Sequence, residues 1–188
     1  MTNPLVRRST DVEHTLTMAM DQAPATVTAS FEALYRSSAD AVYAYVASLL
    51  RDRSAAEEVT ATAFERAFRK QRSFDPRRGT QRAWLFGIAR NAALDELRRR
   101  KRSAELSVEP ADEEAAPEGE AEAAERRATV RAALAGLEPR ERELIALKFH
   151  AGLSNAEIAD VLGVSPSNAG TRVHRALTRL REACHAPS

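Results

Sequence analysis

Between Ser103 and Glu125 the chain carries nine acidic residues, two prolines and one glycine, no Lys or Arg, and only Leu106 and Val108 as larger apolar side chains. Such a segment cannot bury enough apolar surface to offset the entropy of ordering it. It reads as a flexible acidic linker whose Ala and Glu content permits only transient helix, and the chain is expected to fold as two pieces on either side of it. Each piece, roughly 60 to 75 residues, has a modest core and marginal stability without a partner.

The same segment distorts the charge balance. The whole chain has a formal net charge of +1 from 28 basic and 27 acidic residues. Setting the nine linker acids aside leaves 18 acids against 28 bases, a formal +10 over the other 165 residues. That excess suits a polyanion, because Lys and Arg release counterions when they bind phosphates; a solvated basic surface gives the same number. The single cysteine, Cys184, excludes an internal disulfide or a cysteine-rich zinc site. No stretch approaches the roughly 20 apolar residues of a spanning helix, and the first thirty lack a signal-peptide core, so a cytoplasmic location is expected. The four histidines are scattered and no nucleophile–base, phosphate-loop or metal constellation is evident. The expectation is a chain with no catalytic centre, metal or cofactor.

Gly, Pro and aromatics are sparse while Ala, Leu, Glu and Arg abound, which predicts an all-α fold. Residues 1–28 show no sustained period and read as a mobile extension. From Phe31, the apolar residues Leu34, Tyr35, Val42, Val46 and Leu49 return every three or four positions and mark one helix face. Asp52 or Ser54 can cap a second helix carrying Val59, Phe64 and Phe68 to about Lys70. Residues 72–80 then form a basic loop with Pro76 and Gly79. A third helix from about Gln81 buries Trp84, Leu85, Ile88 and Ala92 and ends in the basic run 98–102. The first domain is thus 29–102, the linker 103–125 and the second domain 126–188, whose four helical pieces are 126–135, 139–149, 155–162 and 166 to about 183.

The most specific local pattern lies in that second domain. Ser154 and Glu157 make a capping box, and Gly163 supplies the left-handed residue that ends the helix. Val164 plugs the turn, Ser165 caps the next helix and Pro166 occupies its first turn. Two helices joined by so short a turn have the geometry of a helix-turn-helix. At 100° per residue, Ala169, Val173, Ala176, Leu177 and Leu180 fall on one side of the second helix. Ser167, Asn168, Thr171, Arg172, Arg175 and Arg179 fall roughly 150° away, with His174 at their edge. Ser167, Asn168, Thr171 and Arg172 would point into a major groove, while Arg175 and Arg179 suit phosphates. A solvated amphipathic helix would show the same period, but not the doubled caps. In the first domain Asn91, Asp95, Arg98, Arg99 and Arg102 share a face of the third helix beside the basic loop, a stripe able to hold DNA strands. Asp95 serves equally as a surface partner of its arginine neighbours. Trp84 and Phe86 are candidates for stacking on unpaired bases, with Trp84 fitting the core period better.

Taken in order, these motifs resemble the extracytoplasmic-function (ECF) sigma factors of the sigma-70 family. Ala56-Glu57-Glu58-Val59 with Phe64-Glu65-Arg66-Ala67-Phe68 is similar to the family's core-binding helix. Trp84-Leu85-Phe86-Gly87-Ile88-Ala89-Arg90-Asn91, with Asp95, Arg98 and Arg99, resembles its W-L-F-x-I-A-R-N signature, and 137–142 with 153–175 resembles its second domain. The resemblance implies that Glu57, Glu58, Phe64 and Arg66 bind the β′ clamp helices of bacterial RNA polymerase. It implies that Arg72, Arg77, Arg78, Asn91, Asp95, Arg98 and Arg99 recognise and help open the minus-10 element. Ser167, Asn168, Thr171, Arg172, His174, Arg175 and Arg179 would read the minus-35 element, with the second domain on the β flap. By family habit an anti-sigma factor is a further partner, and the acidic linker threads a basic polymerase channel. Ala61 and Thr62 depart from the family's usual residues, as does Gly170 inside the recognition helix, where it either admits DNA backbone or softens the helix. The alternative is a stand-alone helix-turn-helix regulator; a helical adaptor that binds only protein is a weaker rival.

Overall fold

The computed structural model describes residues 25–104 and 121–185, all in helices and short connections, with no strand among them. The helices are α1 (Ala25–Leu50), α2 (Arg53–Lys70), α3 (Gln81–Ala104), α4 (Ala121–Gly136), α5 (Pro139–Phe149), α6 (Asn155–Leu162) and α7 (Pro166–His185). Helix α1 starts at Ala25, ahead of the first apolar marker Phe31, and inside the stretch read as an extension. An apolar period marks a buried face and sets no bound on where backbone hydrogen bonding stops, so helix ends are the least legible part of the pattern. For the same reason α3 runs to Ala104 and α4 starts at Ala121, each entering the stretch read as linker. The rest of the extension and of the linker lies outside the described residues.

Helices α1, α2 and α3 pack mutually as a three-helix bundle. Asp52 ends the gap between α1 and α2 as an N-cap, accepting from the Ala55 amide at 2.9 Å. Its second carboxylate oxygen takes Arg100 Nη2 at 2.7 Å, tying the start of α2 to the end of α3. Phe64 lies fully buried, edge-on to Tyr35 at 4.8 Å and Phe31 at 6.5 Å between ring centroids, and fastens α2 to α1. Two 3-10 turns, Gln71–Ser73 and Pro76–Arg78, carry the chain from α2 to α3.

Helices α4 to α7 form the second unit, with α7 packed on α4, α5 and α6. Helix α5 is buried over five consecutive residues, Glu143 to Leu147. A helix buried all round must have neighbours on more than one side. Here α7 covers one side and α1 of the first unit covers another, while α6 packs against α3. The two units therefore dock, and their buried side chains form one continuous apolar cluster from Phe31 to Ala176. The sequence pattern had pointed to two pieces without indicating this contact between them.

Candidate nucleic-acid interface

The helix-turn-helix is set by its caps. Ser154 Oγ accepts from the Glu157 amide at 3.2 Å while the Glu157 carboxylate takes the Ser154 amide at 2.8 Å, so two orphan donors at the start of α6 are satisfied reciprocally. Gly163 ends α6 in the left-handed region at φ 66°, and the Val164 amide reaches back to Ala159 O at 3.0 Å. Val164 is half-buried rather than a sealed plug. Ser165 Oγ then accepts from the Asn168 amide at 3.3 Å to start α7.

Those caps aim α7. Ala169, Val173 and Ala176 are buried. Ser167, Asn168, Thr171, Arg172, His174, Arg175 and Arg179 are all exposed, as the phase of the sequence requires. Arg179 pairs with Glu141 of α5 at 2.5 Å. Arg172 and Arg175 form no ion pair with any other described residue, which leaves two cations at the exposed centre of the face. A Cβ on Gly170 would lie 3.2 Å from Nδ2 of Asn155, the first residue of α6, so a side chain there requires that amide to shift.

The first unit presents a second polar surface. Asn91, Asp95, Arg98 and Arg99 are exposed on α3, and Arg72, Arg77 and Arg78 are exposed in the loop before it. Asp75 holds that loop by accepting from the Arg77 amide at 3.0 Å. Asp95 is shared: Arg98 reaches it at 3.1 Å, and Arg66 of α2 at 3.4 Å. Arg99 is bound to Glu96 through two nitrogens at 2.7 and 2.8 Å, and Arg99 followed by Arg100 holds the Glu96 carboxyl below the usual range. Trp84 is half-buried, 5.6 Å from Phe74, and lines an open cavity with Asn91. Phe86 cannot stack on a base, because it is fully buried under Tyr45 and Arg82. On α2, Glu58 and Arg66 are exposed and Glu57 is half-buried. Phe64 offers no docking surface at all, since its burial belongs to the bundle itself.

Residues 34–103 match the family Sigma-70 region 2, and residues 127–180 match Sigma-70, region 4. The chain belongs to the sigma-70 family. Within it the ECF group is the match: the chain is 33% identical over 165 residues to the ECF RNA polymerase sigma factor SigL of Mycobacterium tuberculosis, covering 85% of this chain and 91% of that one. It is 34% identical over 159 residues to the ECF RNA polymerase sigma factor SigE of Mycolicibacterium smegmatis, covering 81% of this chain but 61% of the longer relative. Among solved structures, the sigma factor RpoE of Bartonella quintana in complex with the anti-sigma factor NepR superposes with a TM-score of 0.71 at 27% identity, over 85% of this chain and 99% of that one. CnrH, in complex with the cytosolic domain of CnrY, gives 0.62 at 28% identity, over 92% and 96%. The protein is thus an ECF-type RNA polymerase sigma factor, a transcription initiation factor with regions 2 and 4, and the stand-alone regulator is not favoured.

In this sigma factor the two regions meet through polar groups that the motifs did not reveal. Glu143 on α5 sits in the interface, where its Oε1 accepts from Arg90 Nε at 2.7 Å and from the Tyr45 hydroxyl at 3.2 Å. Burial pushes the Tyr45 phenol well above its ordinary value and the Glu143 charge pushes it further, against the pull of Arg90, so it stays a neutral donor. Arg82 donates from Nε to Ala151 O of region 4 at 2.9 Å and also reaches Ser38 Oγ at 3.2 Å. Thr80 donates to Glu157 at 2.7 Å while capping its own helix through the Ala83 amide at 3.1 Å. Burial pushes the Glu157 carboxyl up, but the bonds from Thr80 and Ser154 and the charge of Arg82 together hold it below the usual range. The sequence signal available for this interface was the unbroken run Leu144-Ile145-Ala146-Leu147, more apolar than one packed face requires.

Proposed function

We propose that this sigma factor carries the polymerase to its promoters by splitting recognition between its two exposed polar faces. The observation that carries the reading is the α7 face: a helix capped by Ser165 with Asn168 and Thr171 exposed and, beside them, the cations Arg172 and Arg175, which pair with no described residue. Such a helix reads base edges in a major groove with its N-terminal half and grips phosphates with the rest. In this reading Ser167, Asn168, Thr171, Arg172, His174, Arg175 and Arg179 serve the minus-35 element. Arg72, Arg77, Arg78, Asn91, Asp95, Arg98 and Arg99 serve the minus-10 element, with Trp84 beside them as the aromatic wall for an unpaired base. Glu57, Glu58 and Arg66 on α2 face the β′ clamp helices, and region 4 seats on the β flap.

The factor acts as a binding subunit and performs no catalysis of its own. It works in the cytoplasm, where core polymerase and promoter DNA meet; among the described residues no helix is long and apolar enough to cross a membrane. An anti-sigma factor is the fitting antagonist, since the solved relative RpoE described above is in complex with one, NepR. The test is transcription in vitro with purified bacterial core polymerase on a promoter library. Specific initiation that depends on the added chain is expected, with Arg172→Ala lowering it. Failure to initiate from any member, with no co-purification with core, would overturn the reading.

A further inference from the structure

Helix α6 carries two carboxylates that reach the loop of region 2, Glu157 in addition to its part in the capping box and Asp160 with no part in a cap. Glu157 takes the Thr80 hydroxyl at 2.7 Å, and Asp160 Oδ2 lies 3.0 Å from where a Cβ on Gly79 would stand. Gly79 is at φ 141°, so its lack of a side chain serves the backbone as well as this approach. Asp160 and Val161 also close one side of the cavity of about 450 Å³ whose other walls include Phe74, Trp84 and Asn91. Arg82, two residues after Thr80, completes the contact by donating to Ala151 O in the turn before α6.

We infer that α6 is an interaction surface whose partner is the loop and cavity of its own region 2, where Glu157 and Asp160 occupy the place of a single strand's phosphates. The inference rests on the assignment of residues 72–80 and Asn91 to the minus-10 strand. Carboxylate and phosphate oxygens are both negatively charged hydrogen-bond acceptors, so the hydroxyl of Thr80 and the cationic loop around Arg77 and Arg78 favour either one. They cannot hold both, because two anions brought together in that cleft repel. A strand therefore binds only the undocked form, and its apparent affinity is the intrinsic affinity scaled by the undocked fraction. Linkage makes the effect reciprocal: whatever undocks region 4 tightens strand binding, and strand binding undocks region 4.

The full chain provides its own reporter, because Trp84 is its single tryptophan and lines that cavity. Two variants separate docking from plain charge. Asp160→Lys places a cation against Gly79 and should undock region 4. Arg82→Gln should also undock it while removing a positive charge. For both, the expected result is red-shifted Trp84 emission with stronger acrylamide quenching, a larger radius of gyration by solution scattering, and helical circular dichroism like that of the parent. A fluorescein-labelled mixed-sequence 20-nucleotide single strand should bind about threefold or more tighter to each. The Arg82→Gln result decides the matter, since loss of a cation alone weakens binding to a polyanion. Weaker strand binding by Arg82→Gln, or parental Trp84 emission and radius of gyration in both variants, overturns the inference. These readouts need neither promoter nor polymerase, so a failure here is distinct from a failure of initiation in the transcription assay.

Discussion

The Arg90–Glu143 pair offers the sharpest quantitative test of how the two regions hold together. Glu143 is buried in the middle of α5, its side chain 10% exposed, and Arg90 on α3 is 25% exposed. Replacing Arg90 with Met keeps the aliphatic stem but leaves the carboxylate with the Tyr45 hydroxyl alone, at 3.2 Å. Removing one partner of a buried pair costs about 3–5 kcal/mol, and the surviving bond from Tyr45 sets the expectation near ~3 kcal/mol. Glu143→Leu strands Arg90 less severely, because a quarter-exposed guanidinium can turn toward water; about 1–2 kcal/mol is expected. Together, Arg90→Met and Glu143→Leu replace the pair by apolar groups of similar volume, and the double variant should return to within about 1 kcal/mol of the parent. The double-mutant cycle should therefore give a coupling of about 2 kcal/mol or more.

The two partners sit in different regions, and this sets a ceiling on the loss. A chain that cannot keep Glu143 buried unpaired can undock region 4 and hydrate it, so the measured loss of docked-state stability cannot exceed the docking free energy before opening takes over. Urea titration followed in parallel by circular dichroism and Trp84 emission distinguishes the two responses. In Arg90→Met the Trp84 transition should shift to lower urea, ahead of the loss of helix, and in the double variant the two should coincide again. An Arg90→Met chain within about 0.5 kcal/mol of the parent with an unmoved Trp84 transition would refute the reasoning. So would a double variant less stable than Arg90→Met.

Phe64→Ala should cost about 3–5 kcal/mol of stability, measured by denaturant unfolding, because the ring is fully buried between Phe31 and Tyr35; an unchanged melting temperature with lost polymerase binding would return Phe64 to the docking surface. Gly170→Ala should raise the melting temperature by about 1–3 °C, since helix propensity improves and the exposed Asn155 amide can rotate out of its 3.2 Å approach; a clear drop would mean Asn155 is fixed in place. Acid should destabilise the fold. Asp52 (amide of Ala55, then Arg100), Glu96 (Arg99) and Glu157 (held down by its bonds despite burial) all have depressed carboxyls, so as pH falls below about 4.3 the unfolded chain takes up protons first. Their contribution is complete above that point and is lost as pH falls through the folded values; a melting temperature constant from pH 6 to pH 3 would contradict this. Arg172→Ala should weaken binding of the holoenzyme to promoter duplex and lower the slope of log affinity against log salt by about 1 if the residue meets a phosphate, or leave the slope and relax base preference if it reads a base edge.

What was legible in the sequence, and what was not, divides by the range of the interaction. The caps at Ser154, Gly163 and Ser165 are decided within three or four residues and each stands where the sequence placed it, and of the two candidates for α2 the cap is Asp52 rather than Ser54. The polar phase of α7 follows from a fixed 100° turn per residue and needed no partner to be read. Phe64 was misjudged because a motif position gives no indication of which way its side chain points, while its spacing of three and four residues from the buried Ala67 and Thr60 assigns it to the core. The docking of regions 2 and 4 joins residues as far apart as Tyr45 and Glu143, and no local rule couples them. Its trace was an excess: more apolar surface on α5 than α7 alone can cover, and more acid on α6 than its caps require. Glu157 shows why such traces are easily passed over. Its carboxylate completes a capping box within its own helix, a sufficient explanation of its presence, and yet one of its oxygens also accepts Thr80 of the other region. A residue with one adequate local reason gives no sign in sequence of a second, distant one, and interfaces within a chain can be assembled largely from such residues.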